Sequence, residues 1–233
     1  MLLSREELKE NLANVMERIA AACARAGRDP KDVTLLAVSK KKPLEDIVAL
    51  EEQGQRAFGE NYVQELRDKY DELGDSVEWH FIGHLQRNKV KYLIGKVALI
   101  HSVDSLRLAE QIEKEAAKNG YDVDVLMEVN IAHEESKWGF TEDDAIDAAR
   151  AIGELSHVHL KGLMTSAPIT EDAETNRVYF KALAELARQI DTEHFPNVQM
   201  DELSMGMTKD FEVAVEEGAT IVRVGTAIFG ARS

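Results

Sequence analysis

The sequence predicts a single (β/α)8 barrel, on three observations. Short β-branched apolar runs alternate with helix-compatible segments from residue 33 to the end. Eight such runs can be counted, enough to close a barrel. The length of 233 residues lies close to the roughly 250 typical of that architecture.

An extra helix precedes the first unit. From Ser4 the apolar residues Leu8, Leu12, Val15, Ile19 and Ala22 recur at helical spacing, with Ser4 as N-cap and Glu7 completing a capping box. Gly27 and Pro30 end it. The first strand candidate, VTLLAVSK (33–40), gives way after Pro43 to the helical stretch LEDIVALEEQG. Further strands are expected at 57–61, 78–83, 97–103, 123–131, 158–165, 202–206 and 221–230, with helices between them such as SLRLAEQIEKEAAKNG and DAIDAARAIGEL. Alternation of this kind implies parallel strands joined by right-handed crossovers. The candidates at 57–61 and 202–206 are weak periodic signals, so on pattern alone an open doubly wound sheet competes with the barrel. No linker, low-complexity tract or repeat divides the chain, and one domain over 1–233 is expected.

Composition narrows the function classes. With 28 Lys+Arg against 43 Asp+Glu the net charge is -15, which repels a polyphosphate backbone and an anionic lipid surface. Neither nucleic acid nor membrane is an expected partner. The one cysteine, Cys23, rules out an intrachain disulfide and falls on the apolar face of the first helix, where packing is its expected job. An N-terminus that turns polar and acidic at once, and the lack of any apolar run near 18 residues, lead us to expect a cytoplasmic protein without a targeting segment.

Charges inside barrel strands need a partner or a purpose, because both faces of such a strand are covered. In Ile221-Val222-Arg223-Val224-Gly225-Thr226 the valines share one parity and should face the helices, which turns Arg223 inward. A buried ion pair, for instance with the inward-facing Glu128, explains it as well as a ligand does. Lys40 shares parity with Leu36 and Val38 and should point into the barrel mouth, at the strand ends where barrel active sites are built. A lysine among apolar groups gains neutral amine character and can attack an aldehyde. Equally, Lys40, Lys41 and Lys42 read as a solvated loop, and pattern alone does not select among them. Ser204-Met205-Gly206-Met207-Thr208, followed by a helix from about Asp210, and Gly225-Thr226 are small-residue segments after strands seven and eight, the recurrent phosphate site of this fold. Each alone reads as an ordinary turn. The seven histidines show no HExxH spacing, and Arg87, Lys89, Lys91 and Lys96 read as the solvated face of a third crossover helix.

Taken together, LLAVSKKKP around Lys40, GENYVQE (59–65), WHFIGHLQRNK (79–89) and SMGMTKDFEVAVEEGATIVRVGTAIFG (204–230) resemble the pyridoxal phosphate homeostasis proteins over almost the whole chain. These are similar to the barrel domain of bacterial alanine racemase. The resemblance implies pyridoxal 5'-phosphate as cofactor, joined to Lys40 as an imine, with Arg223 facing the pyridine nitrogen. It implies phosphate-binding positions at Ser204, Gly206, Gly225 and Thr226, and a polar residue near the cofactor at Asn61. Where many relatives read GMS this chain has Gly206-Met207-Thr208, which keeps a hydroxyl and adds a methyl.

An arginine opposite the pyridine nitrogen disfavours its protonation and weakens the ring as an electron sink. Only three residues follow Gly230, so the β-domain that completes alanine racemase is expected to be absent, and with it a second base and a pairing surface. The expectation is therefore a monomeric carrier with no robust activity of its own, passing pyridoxal phosphate to other proteins, apo pyridoxal phosphate enzymes among them. The alternatives are a small amino-acid racemase and a Schiff-base aldolase with a sugar phosphate in the anion site.

Overall fold

A computed structural model describes residues 3–231. Strands β1 (Thr34–Val38), β2 (Ala57–Glu60), β3 (Glu78–Phe81), β4 (Leu99–Val103), β5 (Val123–Glu128), β6 (Val158–Met164), β7 (Val198–Met207) and β8 (Ile221–Val224) follow one another in sequence order around a closed, all-parallel barrel. The pairing that decides between barrel and open sheet is β1 with β8, in which Leu36 lies beside Arg223 and Ala37 beside Val224. Helices α1 (Arg5–Ala26), α2 (Leu44–Glu51), α3 (Val63–Leu73), α4 (Leu106–Asn119), α5 (Glu142–Gly153), α6 (Arg177–Thr192), α7 (Phe211–Glu216) and α8 (Thr226–Phe229) form the outer layer. Among the described residues no helix is long and apolar enough to cross a membrane.

Strand parity sorts the core into two layers. Leu36, Ala57, Leu99, Leu126, Met164 and Ile221 meet inside the barrel, while Leu35, Ala37, Val222 and Val224 pack outward into the larger cluster under the helices. Successive side chains on a strand point to opposite faces, so the apolar interior residues fix which polar neighbours must also point in.

The capping box of α1 forms as the sequence predicts, with Ser4 and Glu7 exchanging side-chain-to-backbone bonds, and Gly27 closes the helix in the left-handed conformation. Its buried face, including Cys23, packs against α2, α7 and α8. Arg18 bonds both carboxylate oxygens of Glu212 at 2.9 and 3.2 Å and lies 4.5 Å over the Phe211 ring. Arg28 donates to the carbonyls of Val215 and Ala219.

Two expectations are corrected. The eighth strand does not run to residue 230: it ends at Val224, and Thr226–Phe229 is the short helix α8, whose Ile228 and Phe229 are buried under α1 and whose Ile228 carbonyl accepts from Asn11. An apolar run of that length carries no periodicity that separates strand from helical turn. The third crossover is a 3-10 helix, Arg87–Tyr92, in place of an α-helix. Its basic side chains are exposed, while Val90 within it and Leu93 just after it are buried in the core. The two weak strand candidates do form strands, and β7 reaches ten residues. A barrel strand gains its neighbours' hydrogen bonds whatever its own alternation.

Candidate functional site

A cavity of about 370 Å³ opens at the C-terminal ends of the strands, within the size range of small-molecule sites. Lys40, Asn61, Arg223, Gly225 and Thr226 line it, together with Val38, Ser166, Asn176 and the run Met207 to Asp210. Of the seven residues singled out in the sequence, five are thus brought to one cavity from the ends of β1, β2 and β8.

Parity carries β1 from Leu36 in the barrel interior through Val38 to Lys40, both on the cavity wall. The three adjacent lysines separate completely. Lys41 lies toward Tyr62, its ammonium 5.7 Å from the ring centroid, and Lys42 donates to the Phe229 carbonyl at 2.8 Å. Asn61 follows β2, and its backbone sits so close to Gly83 that any Cβ there would fall 2.2 Å from the Asn61 carbonyl oxygen. Asn61 lines the cavity, and its side-chain oxygen is buried with no hydrogen-bond partner, an unusual state for a buried acceptor.

Arg223 is buried and donates to Ser204 Oγ at 2.7 Å, the Thr165 carbonyl at 2.8 Å and Ser166 Oγ at 3.4 Å. Burial pulls its pKa down to about 10, with Glu128 and Asp210 acting as opposing charges, so it remains a cation at neutral pH. Its hydrogen bonds go to hydroxyls and a carbonyl, and Glu128 influences it as a nearby charge. Glu128 itself is pushed up to about 7, first by burial and then by Asp104.

Ser204 and Gly206 stand behind the wall of this cavity. Ser204 is fully buried, with its hydroxyl held between Arg223 and His101. Gly206 has φ +91°, and a Cβ there would come within 2.5 Å of the Ala214 Cβ, so its lack of a side chain lets α7 approach β7. The residues that reach the cavity from this loop are Met207, Thr208, Lys209 and Asp210. Thr208 Oγ1 accepts from the Gly225 N–H at 3.3 Å, which ties the two small-residue segments together. Asp210, the one carboxylate among the described lining residues, is committed to the Met207 N–H and the Asn176 amide, both at 2.7 Å.

A polar chain through the barrel interior was not foreseen in the sequence. Arg223 can only donate, so Ser204 accepts from it and turns its own proton to His101 Nδ1 at 2.8 Å. His101 Nε2–H then donates to His80 Nδ1 at 2.8 Å, and His80 Nε2–H to Glu78 at 2.8 Å. This direction gives every member of the chain a partner. Burial, His80 and Arg223 together hold the His101 pKa well below its usual value. The signal available in the sequence was position: His101 is two residues from the inward Leu99, and His80 two from Ile82, which packs against the interior cluster.

The chain matches the family described as alanine racemase, N-terminal domain, over residues 5–233. It is 50% identical to a pyridoxal phosphate homeostasis protein of Aquifex aeolicus, over 96% of this chain and 97% of that one. A crystal structure of an unknown protein from Bifidobacterium adolescentis superposes with a TM-score of 0.93 at 39% identity, covering 97% of this chain and 95% of the other. PipY of Synechococcus elongatus, solved with pyridoxal phosphate bound, superposes with a TM-score of 0.80 at 35% identity, covering 93% and 100%.

Proposed function

Because this chain belongs to the alanine racemase N-terminal domain family, and within it to the pyridoxal phosphate homeostasis proteins, we propose that its cavity holds pyridoxal 5'-phosphate and releases it to other proteins. The observation that carries the reading is the convergence of Lys40, Arg223 and the Thr208–Gly225–Thr226 edge on one cavity of suitable size. Asn61 adds a polar residue to the same wall.

In this reading Lys40 is the covalent attachment point. Thr208 and Thr226 offer hydroxyls to the phosphate beside Gly225, whose N–H holds Thr208 in place, and Lys209 adds a cation at the rim. Arg223, oriented by Ser204 and Thr165, is the charged group available to the pyridine nitrogen, and Asn61 is a polar residue on the same wall. Bound to lysine, the cofactor supplies an aldehyde carbon that can pass from one amine to another. A guanidinium disfavours protonation of the ring nitrogen by like charge, and carbanion chemistry depends on that protonation. Asp210, the one carboxylate among the described lining residues, is held by the Met207 N–H and the Asn176 amide. The site therefore suits storage and exchange better than racemisation, with Ser204 and Gly206 supporting the phosphate loop from behind. We read the carrier as a cytoplasmic monomer that meets apo pyridoxal phosphate enzymes transiently.

The test is borohydride reduction of protein loaded with pyridoxal phosphate. Wild type should gain one stable adduct, and Lys40→Ala should lose it. An adduct of normal stoichiometry in Lys40→Ala would show that the attachment point has been misassigned. Incubating loaded wild type with amino acids in deuterated water should leave their α-protons in place, and rapid exchange would restore the racemase alternative.

A further inference from the structure

The residues that hold the backbone around Lys40 form a buried charged cluster that the site itself does not use. Lys40 is the second residue of a tight turn, closed by the Lys42 N–H donating to the Ser39 carbonyl at 3.0 Å. The third residue, Lys41, has φ +59°, a left-handed conformation that glycine adopts freely and lysine does not. Such a residue persists only where its surroundings hold it.

The holding groups can be named. The Lys41 N–H donates to Glu65 Oε1 at 2.5 Å. That same oxygen accepts from Lys69 Nζ at 2.8 Å, and Lys69 also donates to the Ser39 carbonyl at 2.8 Å and to Glu60 at 2.7 Å. The Ser39 hydroxyl donates to Glu60 at 2.7 Å. Every peptide flanking Lys40 thus ends on one cluster of two carboxylates and one ammonium. The cluster is expensive: the Glu60 side chain is fully buried, that of Lys69 is 9% exposed, and the second Glu60 oxygen is buried without a hydrogen-bond partner. Burying charge to brace an ordinary loop gains little, since apolar packing does it as well. Burying it beneath a residue whose amine must meet one carbon atom gives that amine a fixed origin.

We propose that Glu65 and Lys69 are positioning residues for Lys40, clamping the strained turn so that its amine stands ready for the aldehyde of pyridoxal phosphate. This rests on the assignment of Lys40 as the attachment point. Of the two, Glu65 allows the cleaner test, because its side chain is 22% exposed and lies at the edge of the cluster.

The experiment titrates pyridoxal phosphate into wild type, Glu65→Ala and Glu65→Gln, measuring Kd, the rate of cofactor release to excess free amine, and the Tm of each apo protein. Borohydride trapping followed by peptide mass mapping locates the adduct. Glu65→Ala should weaken binding roughly tenfold and speed release, with the adduct still on Lys40. Glu65→Gln, which keeps an acceptor for the Lys41 N–H, should recover most of the loss. Binding and release in Glu65→Ala within twofold of wild type overturn the clamp. So does weakening in both variants that merely follows a fall in apo Tm. Absence of an adduct on Lys40 in wild type overturns the attachment assignment and the clamp together, whereas a trapped wild type beside an unaffected Glu65→Ala overturns the clamp alone.

Discussion

At the residue scale, the chemistry of this cavity follows from which polar groups are already satisfied. Asp210 and Ser204 have their partners, and Arg223 lines the cavity as a cation oriented from behind. Glu128 makes a separate statement about pH. Its folded pKa of about 7 exceeds the unfolded value of about 4.5, so between these limits the native state holds a proton that the unfolded chain has lost. Its contribution to stability is complete below about pH 4.5 and is lost as the pH rises through 7. Glu128→Gln should therefore be more stable than wild type at pH 8, by ~1–3 kcal/mol, with the difference vanishing toward pH 4.5. Urea unfolding of both proteins across this range measures it, and a difference independent of pH would refute the assignment.

At the element scale, the loop after β7 depends on how closely α7 can approach. Gly206 at φ +91° permits that approach, and the same loop delivers Thr208 to Gly225. Gly206→Ala places a methyl 2.5 Å from the Ala214 Cβ in a conformation alanine resists. It should cost about 2 kcal/mol or more in urea unfolding and weaken the affinity for pyridoxal phosphate, because Thr208 and Gly225 shift with α7. A variant with normal affinity and normal stability would mean that the loop tolerates the displacement. Helix α1 plays the complementary part, with Arg18 and Arg28 tying α7 and the β8 approach to the outer layer.

At the scale of the whole molecule, the cavity is assembled from strand ends far apart in sequence, and a ligand that bridges β1 and β8 binds the native state alone. Pyridoxal phosphate at 100 times its Kd should stabilise the fold by ~2.7 kcal/mol, which for a chain of this size raises Tm by roughly 5–10 °C. Differential scanning fluorimetry with and without the cofactor checks this, and Lys40→Ala should show a smaller shift. Against the chain's net charge of -15, Lys89 and Lys91 stand out locally, grouped around the Tyr92 ring with Arg67.

By itself the sequence determined the alternation of parallel strands with helices and the direction of its key side chains. Alternation of strand and helix signals implies parallel pairing, and the two-residue period of a strand makes Leu36, Val38 and Lys40 share a direction, as it does Ile221 and Arg223. The capping box at Ser4 was legible for the same reason: it is a local arrangement written in four consecutive residues. What only the tertiary structure decided depends on contacts between distant strands. Closure of β1 against β8 separates a barrel from an open sheet, and no local signal records it. The turn of Thr226–Phe229 into a helix was set by burial under α1. The chain from Arg223 through Ser204, His101 and His80 joins four strands, and the clamp beneath Lys40 joins two strand ends to α3. Periodicity shows which way a side chain points. Which partner it meets there is decided by three-dimensional proximity, and that is why Lys40 was one of three equal lysines in the sequence and is the only one of them on the cavity wall in the fold.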